Sequence, residues 1–249
     1  MHKDYFQKNK VNKIRTNVFS VIMLGVFAMS TIGCGKVIGY EKMAEKLLNE
    51  KYNDEFVVED IQSASILDEY YTALAYQKDH PDTIFKVYVN NDGSGVSDNY
   101  VNRLVCAQLS DTVARNLDSL NGIYYIYSST LIDSLELEDP YISLSEYVDT
   151  HPKMKYNIYV FYSPDISDKE NLYQGLTSIC QGLSISGNIY LYIMDDSVLK
   201  DVQDYLENND KIYDDGDHMF EPYFCGIMKF TNGVLDNSKD EVFEMIEGK

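Results

Sequence analysis

The chain has no tryptophan, four histidines, five prolines and four cysteines among 249 residues, and only 21 Lys plus Arg stand against 40 Asp plus Glu. The formal charge of −19 repels phosphate backbones and wall polyanions within a Debye length, which excludes nucleic acid as a partner. The imbalance is uneven along the chain. The first 33 residues carry Lys3, Lys8, Lys10, Lys13 and Arg15 against Asp4; setting aside these five bases and one acid leaves 16 basic and 39 acidic residues, a balance of −23. Also missing are G-x-S-x-G, H-E-x-x-H and a glycine-rich phosphate cradle, so no familiar route to a serine hydrolase, a zinc peptidase or a nucleotide site is present and no cofactor is implied. What is there is a chain 45% apolar, enough to build a packed core.

No apolar run reaches the ~20 residues of a membrane-spanning helix. The uncharged stretch Val18–Ile32 holds 15 residues; as a helix it is about 22 Å long against a hydrocarbon core of roughly 30 Å. Preceded by a basic start, it has the layout of a secretory signal, with the positive flank kept inside. At its end, Thr31-Ile32-Gly33-Cys34-Gly35 resembles the lipobox of type II signal peptides. Gly33 and Cys34 match that pattern; Thr31 departs from it, since an aliphatic residue, usually Leu, is expected there. The resemblance implies cleavage before Cys34, acylation of its thiol with palmitate-like chains, and residues 36–249 held on the outer face of the cytoplasmic membrane. Two acyl chains, at ~0.8 kcal/mol per buried methylene, anchor without help from basic residues. An uncleaved anchor is the alternative.

Removing Cys34 leaves Cys106, Cys180 and Cys225, an odd number in distant segments. No disulfide framework follows from that; in apolar surroundings cysteine behaves as a small buried hydrophobe.

Helical spacing at Tyr40, Met43, Ala44, Leu47 and Leu48 starts the fold close behind Cys34. Three strands rich in aromatic and β-branched residues follow, at Phe56–Ile61, Tyr70–Tyr76 and Ile84–Val89, with short connections that make them antiparallel neighbours. Asn90–Gly95 is a turn signal, and Asp98 or Asn99 is placed to cap a helix carrying Val101, Leu104, Val105, Leu109, Val113 and Leu117. The first half therefore reads αβββα. Its run from Glu45 to Tyr100 resembles small, broadly PepSY-like α+β domains of uncharacterised Gram-positive lipoproteins, a resemblance of pattern that brings no catalytic residue.

The second half alternates: strands at Ile123–Ser128, Tyr156–Tyr162, Asn188–Met194 and Tyr223–Phe230, and helices at Leu144–Val148, Lys169–Leu183, Val198–Leu206 and Lys239–Ile246. Capping boxes mark three helix starts, Ser143 with Glu146, Ser167 with Glu170 and Ser238 with Glu241. The whole is α+β: a signal peptide at 1–33, an α+β subdomain at 34–121 and a mixed α/β subdomain at 122–249.

Candidate chemistry is sparse. Asn90, Asp92, Ser94, Gly95 and Asp98 match positions of a calcium loop, but Val101 stands where the closing Glu is required, so a hairpin turn is the reading. Asp214, Asp215, Asp217 and Glu221 concentrate oxygen donors in one loop and are weak candidates for a divalent cation, the solvated acidic loop being the plainer account. With His218, Asp217 and Glu221 also form the single cluster that serves an alternative reading, a hydrolase acting on envelope material. Ser197-Val-Leu-Lys200 and Ser97-Asp98-Asn99 spell fragments of penicillin-recognising motifs in reversed order and without K-T-G. His80 and His151 sit in polar, turn-like surroundings. The 22 tyrosines are the oddest feature. Alternation puts Tyr190 and Tyr192 on one face, a weak candidate platform for a peptide or glycan, against ordinary cross-strand packing. The expected function is a membrane-anchored binding module whose partner is an envelope protein, peptide or glycan.

Overall fold

The computed structural model describes residues 39–62, 70–117, 120, 122–131, 137, 139–164, 169–179, 181–207 and 220–248. Residues Tyr40–Lys249 form one compact unit. Residues 39–52 are helical (α1) and lead into β1 (Phe56–Gln62), β2 (Tyr70–Gln77), β3 (His80–Asn90), β4 (Val96–Asp98) and α2 (Tyr100–Asn116). The four strands pair antiparallel in the order β1-β2-β3-β4. Alternation sorts their side chains. Phe56 and Val58, Ala73 and Ala75, and Phe85, Val87 and Val89 all bury one face against Ala44 and Leu48 of α1 and Tyr100 and Val101 of α2.

The first half is thus αββββα, one strand more than expected. Asn90–Gly95 does turn the chain, with Gly93 N–H donating to the Asn90 carbonyl at 2.8 Å and Gly93 at φ 70°. The three residues after it pair with Val87, Tyr88 and Val89 before the helix starts. The calcium-like arrangement is a hairpin: Asp98 is buried at 1% exposure and Val101 lies in the core.

The second sheet runs β5-β6-β7-β8-β9: β5 (Gly122–Thr130), β6 (Lys155–Pro164), β7 (Ser186–Ile193), β8 (Phe224–Thr231) and β9 (Val234–Leu235). Only the β6/β7 pair is parallel, and α4 (Lys169–Ser178) supplies the crossover it needs. β9 returns on Asn232-Gly233, both at positive φ (50° and 76°), the two-residue turn that matches strand twist. Three further helices complete the unit: α3 (Leu144–Thr150), α5 (Asp196–Glu207) and α6 (Lys239–Glu247). The capping boxes of α3 and α6 are formed as the spacing predicts, Ser143 with Glu146 and Ser238 with Glu241; Ser167 lies outside the described residues.

Both faces of this sheet are covered. Tyr156, Ile158, Val160 and Tyr162 of β6 join Val105, Leu109 and Val113 of α2, Leu172 and Leu176 of α4 and Val242 of α6. The alternate residues Tyr159 and Phe161, with Tyr192, pack under Leu199, Val202 and Leu206 of α5. One glycine makes the parallel pair possible: Gly187 lies opposite Tyr156, and a Cβ there would overlap the Tyr156 carbonyl.

α2 belongs to both cores, and its first turn is where they are tied. Asp98 Oδ1 accepts from the Tyr52 hydroxyl at 2.7 Å and from Tyr100 N–H at 3.0 Å, while Oδ2 accepts from Lys51 Nζ at 2.9 Å. Asn99 occupies the N-cap position but its side chain makes no capping bond. It accepts instead from Lys86 N–H of β3 at 2.7 Å. Asn102 donates to the Tyr147 hydroxyl of α3 at 3.2 Å and accepts from Thr130 of β5 at 2.9 Å.

Two predictions follow the packing. Asp98→Ala strands Lys51, whose side chain is 18% exposed, and is expected to cost about 3–5 kcal/mol in urea denaturation, whereas Lys46→Ala, breaking the exposed Lys46–Glu50 pair, changes stability by less than ~0.5 kcal/mol. Gly187→Ala forces β6 and β7 apart and is expected to cost ~3 kcal/mol in the same assay.

Candidate functional site

Of the residues singled out from sequence, Cys34, Cys180, Asp214, Asp215, Asp217 and His218 lie outside the described residues. Glu221 is exposed, in a short 3-10 turn at Glu221–Tyr223. Among the described residues, no group of three or more His, Cys, Asp or Glu is placed to hold a metal ion. Cys106 is buried in α2, its Sγ 3.7 Å from Asn102 Oδ1, and Cys225 is half-buried in β8.

Tyr190 and Tyr192 do share a face, and that face is packed. Tyr192 is 7% exposed. Its ring stacks on Phe161 at 4.8 Å and meets Phe220 edge-on at 6.3 Å, with α5 covering the group. Tyr190, half-buried, stacks on Tyr159 at 4.7 Å and 14°. The reason is the helix after the strand: β7 is interior to the sheet, and α5, which follows it, roofs the face bearing its aromatic rings.

An open concavity lies elsewhere, at the end of the first sheet. It has a volume of 330 Å³, within the range of about 300–1,000 Å³ typical of small-molecule sites. Tyr52 and Asp54 reach it from the end of α1, Phe56 from β1, Gln77 from β2, His80 and Thr83 from β3, and Tyr100 and Leu104 from α2. Pro140 and Tyr141, from the segment before α3, form its rim, and Tyr141 is 88% exposed. The rings of its floor pack edge-on, Tyr52 to Tyr100 at 5.1 Å and Phe56 to Tyr100 at 5.1 Å.

Polar groups in this cleft form a directed chain. The Tyr100 hydroxyl donates to Gln77 Oε1 at 3.2 Å, and Gln77 Nε2 donates to Asp54 Oδ2 at 2.5 Å. Asp54 Oδ1 also accepts the Glu55 N–H at 2.7 Å. Burial, helped by the negative charge of Asp54 and by Tyr141 and Asp98, pushes the Tyr100 hydroxyl from 10.0 up to about 12. The phenol is therefore a neutral donor at physiological pH.

A smaller concavity of 230 Å³ lies between α2 and β5 and includes Arg103 and Ser128. Its arginine is engaged structurally, donating to the Tyr127 hydroxyl at 2.5 Å and to the Ile84 carbonyl at 3.3 Å. That bond pair joins α2 to one strand of each sheet.

None of the cleft's tyrosines stands in a recognisable motif. Five elements converge there, and the available signal was limited to an aromatic at the end of α1, in β1 and at the start of α2.

Comparison with solved structures shows the fold in a crystal structure of a DUF5037 family protein from Ruminococcus gnavus, with a TM-score of 0.63 and 19% sequence identity, covering 84% of this chain and 100% of that chain. At that identity the likeness concerns the fold alone. No family model and no curated protein matches the chain.

The phenol chemistry has a pH consequence. Because the raised value belongs to the folded state, folded Tyr100 keeps a proton that the unfolded chain releases above pH 10. Stability contributed by the neutral phenol is complete below pH 10 and is lost as pH rises toward 12. Tyr156, raised by burial, acts in the same direction. The melting temperature is expected to fall across this interval, and to fall less steeply in Tyr100→Phe; equal slopes in the two proteins would refute the assignment.

Proposed function

We propose that the chain is an exported lipoprotein, cut before Cys34 and anchored by lipid on that cysteine, whose α+β unit is a binding module at the outer face of the cytoplasmic membrane. The observation that carries this reading is one of spacing. Gly33-Cys34 closes a basic start and a 15-residue apolar run, and the compact unit begins at Tyr40, six residues after the cysteine. A fold tethered so closely needs no stalk and no second membrane contact, and its acidic composition keeps it off anionic head groups.

One structural fact supports the binding-module part of the reading. The cleft at the end of the first sheet has the size and mixed lining of a ligand site. A module of this kind works by holding a partner near the membrane surface.

Membrane extraction and intact mass of the chain and of Cys34→Ser test the anchor. The expected result is a diacylglyceryl-sized mass increment on a chain cut before Cys34, and in Cys34→Ser a chain without that increment that keeps its signal. Equal mass and equal extraction in both proteins would exclude lipidation.

A further inference from the structure

We propose that the cleft between the end of α1, the β2/β3 turn and the start of α2 binds a neutral glycan, with Tyr141 as the surface on which a sugar ring stacks. The inference rests on the binding-module reading above and names the ligand class of that module.

Tyr141 carries the argument because its side chain is free while the backbone around it is fastened. The side chain is 88% exposed at the rim of the cleft. Its N–H donates to Asp139 Oδ1 at 2.9 Å, and Gln108 of α2 brackets the residues that follow, Nε2 donating to the Ile142 carbonyl at 3.1 Å and Oε1 accepting the Leu144 N–H at 2.8 Å. A large ring is thus held in solvent beside a concavity, by bonds that reach back to a helix lining it. Such a ring gains by covering its face, and the C–H face of a pyranose is apolar and flat enough to do so. The floor rings leave no face for this purpose. Tyr52, Phe56 and Tyr100 are 4–8% exposed, and Tyr100 meets the other two edge-on. A ligand therefore lies against the rim ring and over a closed floor.

The polar groups select among ligands. Bonding along Tyr100, Gln77 and Asp54 leaves Gln77 one N–H to donate and Asp54 lone pairs to accept. Thr83 and His80 add further donors and acceptors, and among the described residues neither side chain has a hydrogen bond or ion pair. A sugar hydroxyl both donates and accepts, so a glycan uses donors and acceptors set side by side. A cation uses the acceptors alone. An anion uses the donors alone, and meets Asp54 on a chain of net charge −19.

A peptide is disfavoured by the place of the cleft. It lies at a strand turn and not along an edge strand, so strand addition has no template there, and the closed floor gives an apolar side chain no place to insert. The volume of 330 Å³ accommodates about one or two sugar rings.

The test is calorimetric titration of the full chain, in a polyoxyethylene detergent that carries no sugar, with cellotriose, maltotriose and tri-N-acetylchitotriose, and in parallel with N-acetylated, amidated trialanine. The expected result is saturable binding of at least one trisaccharide and none of the peptide, a loss of ~10-fold in Tyr141→Ala but of less than ~2-fold in Tyr141→Phe, and a loss of ~5-fold in Asp54→Asn. Because no ligand charge is recognised, added salt leaves the affinity unchanged. Tyr70→Ala, an exposed tyrosine outside the cleft, is expected to bind as the unaltered chain does. Asp54 and Tyr141 are both exposed, so circular dichroism and melting temperature should be retained in these variants. Full affinity in Tyr141→Ala, or a peptide that binds as well as the sugars, overturns the glycan assignment while leaving a binding module. No saturable heat with any of these compounds overturns the assignment and removes this cleft as the module's site. Anchoring is read separately, by mass at Cys34.

Discussion

The buried carboxylate of Asp98 is the point on which the rest of the unit depends. It is fully enclosed, and it is held there by an ammonium, a phenol and a backbone N–H, each from a different position on α1 or α2. A carboxylate removed from water without such partners is too costly to keep. Its satisfaction therefore dictates where α1 ends and how α2 begins. The neighbours extend the constraint: Asn99 fastens the same turn to β3, and Asn102 fastens it to β5 and α3. Five consecutive residues thus set the relation of three helices to two sheets. Hydrophobic burial supplies the bulk of the stability, but it is non-directional and would accept other rotations of α2. Directional bonds at its first turn select one.

That placement also shapes the cleft. Tyr52 is held by its hydroxyl on Asp98, and Tyr100 is the first residue of the helix that Asp98 caps. Both rings consequently form a fixed floor, and Phe56 fills the angle between them. The cleft is a by-product of joining α1 to α2 across the end of a sheet, where the strand turn at Gln77 and His80 does not reach far enough to close the gap.

Tyrosine serves three purposes here. In the second sheet Tyr159 and Tyr192 are core aromatics beneath α5, stacked in register across β6 and β7 on Tyr190 and Phe161 respectively. At the junction of the sheets, the Tyr127 and Tyr147 hydroxyls take bonds from Arg103 and Asn102 of α2. Around the cleft, phenols line open space. A ring with one polar atom suits all three, since it buries apolar area and still satisfies a donor at the edge of a core. With no tryptophan in the chain, tyrosine and phenylalanine carry every large aromatic contact.

What the sequence by itself determined is local. Alternating and helical spacings, the Ser143 and Ser238 capping boxes and the turn at Asn90–Gly95 all act within a few residues, and the α+β class follows from their order. The Asn232-Gly233 turn went unread, since the two-residue strand beyond it is too short to show a period. Tertiary structure decided the remainder. Burial of Tyr192 depends on α5 returning over the sheet, the side-chain partners of Asp98 lie 46 and 47 residues away, and the cleft is assembled from five elements and a rim. No spacing rule reports such convergence, because the free energy that decides it belongs to contacts between segments and not to the propensities of any one of them.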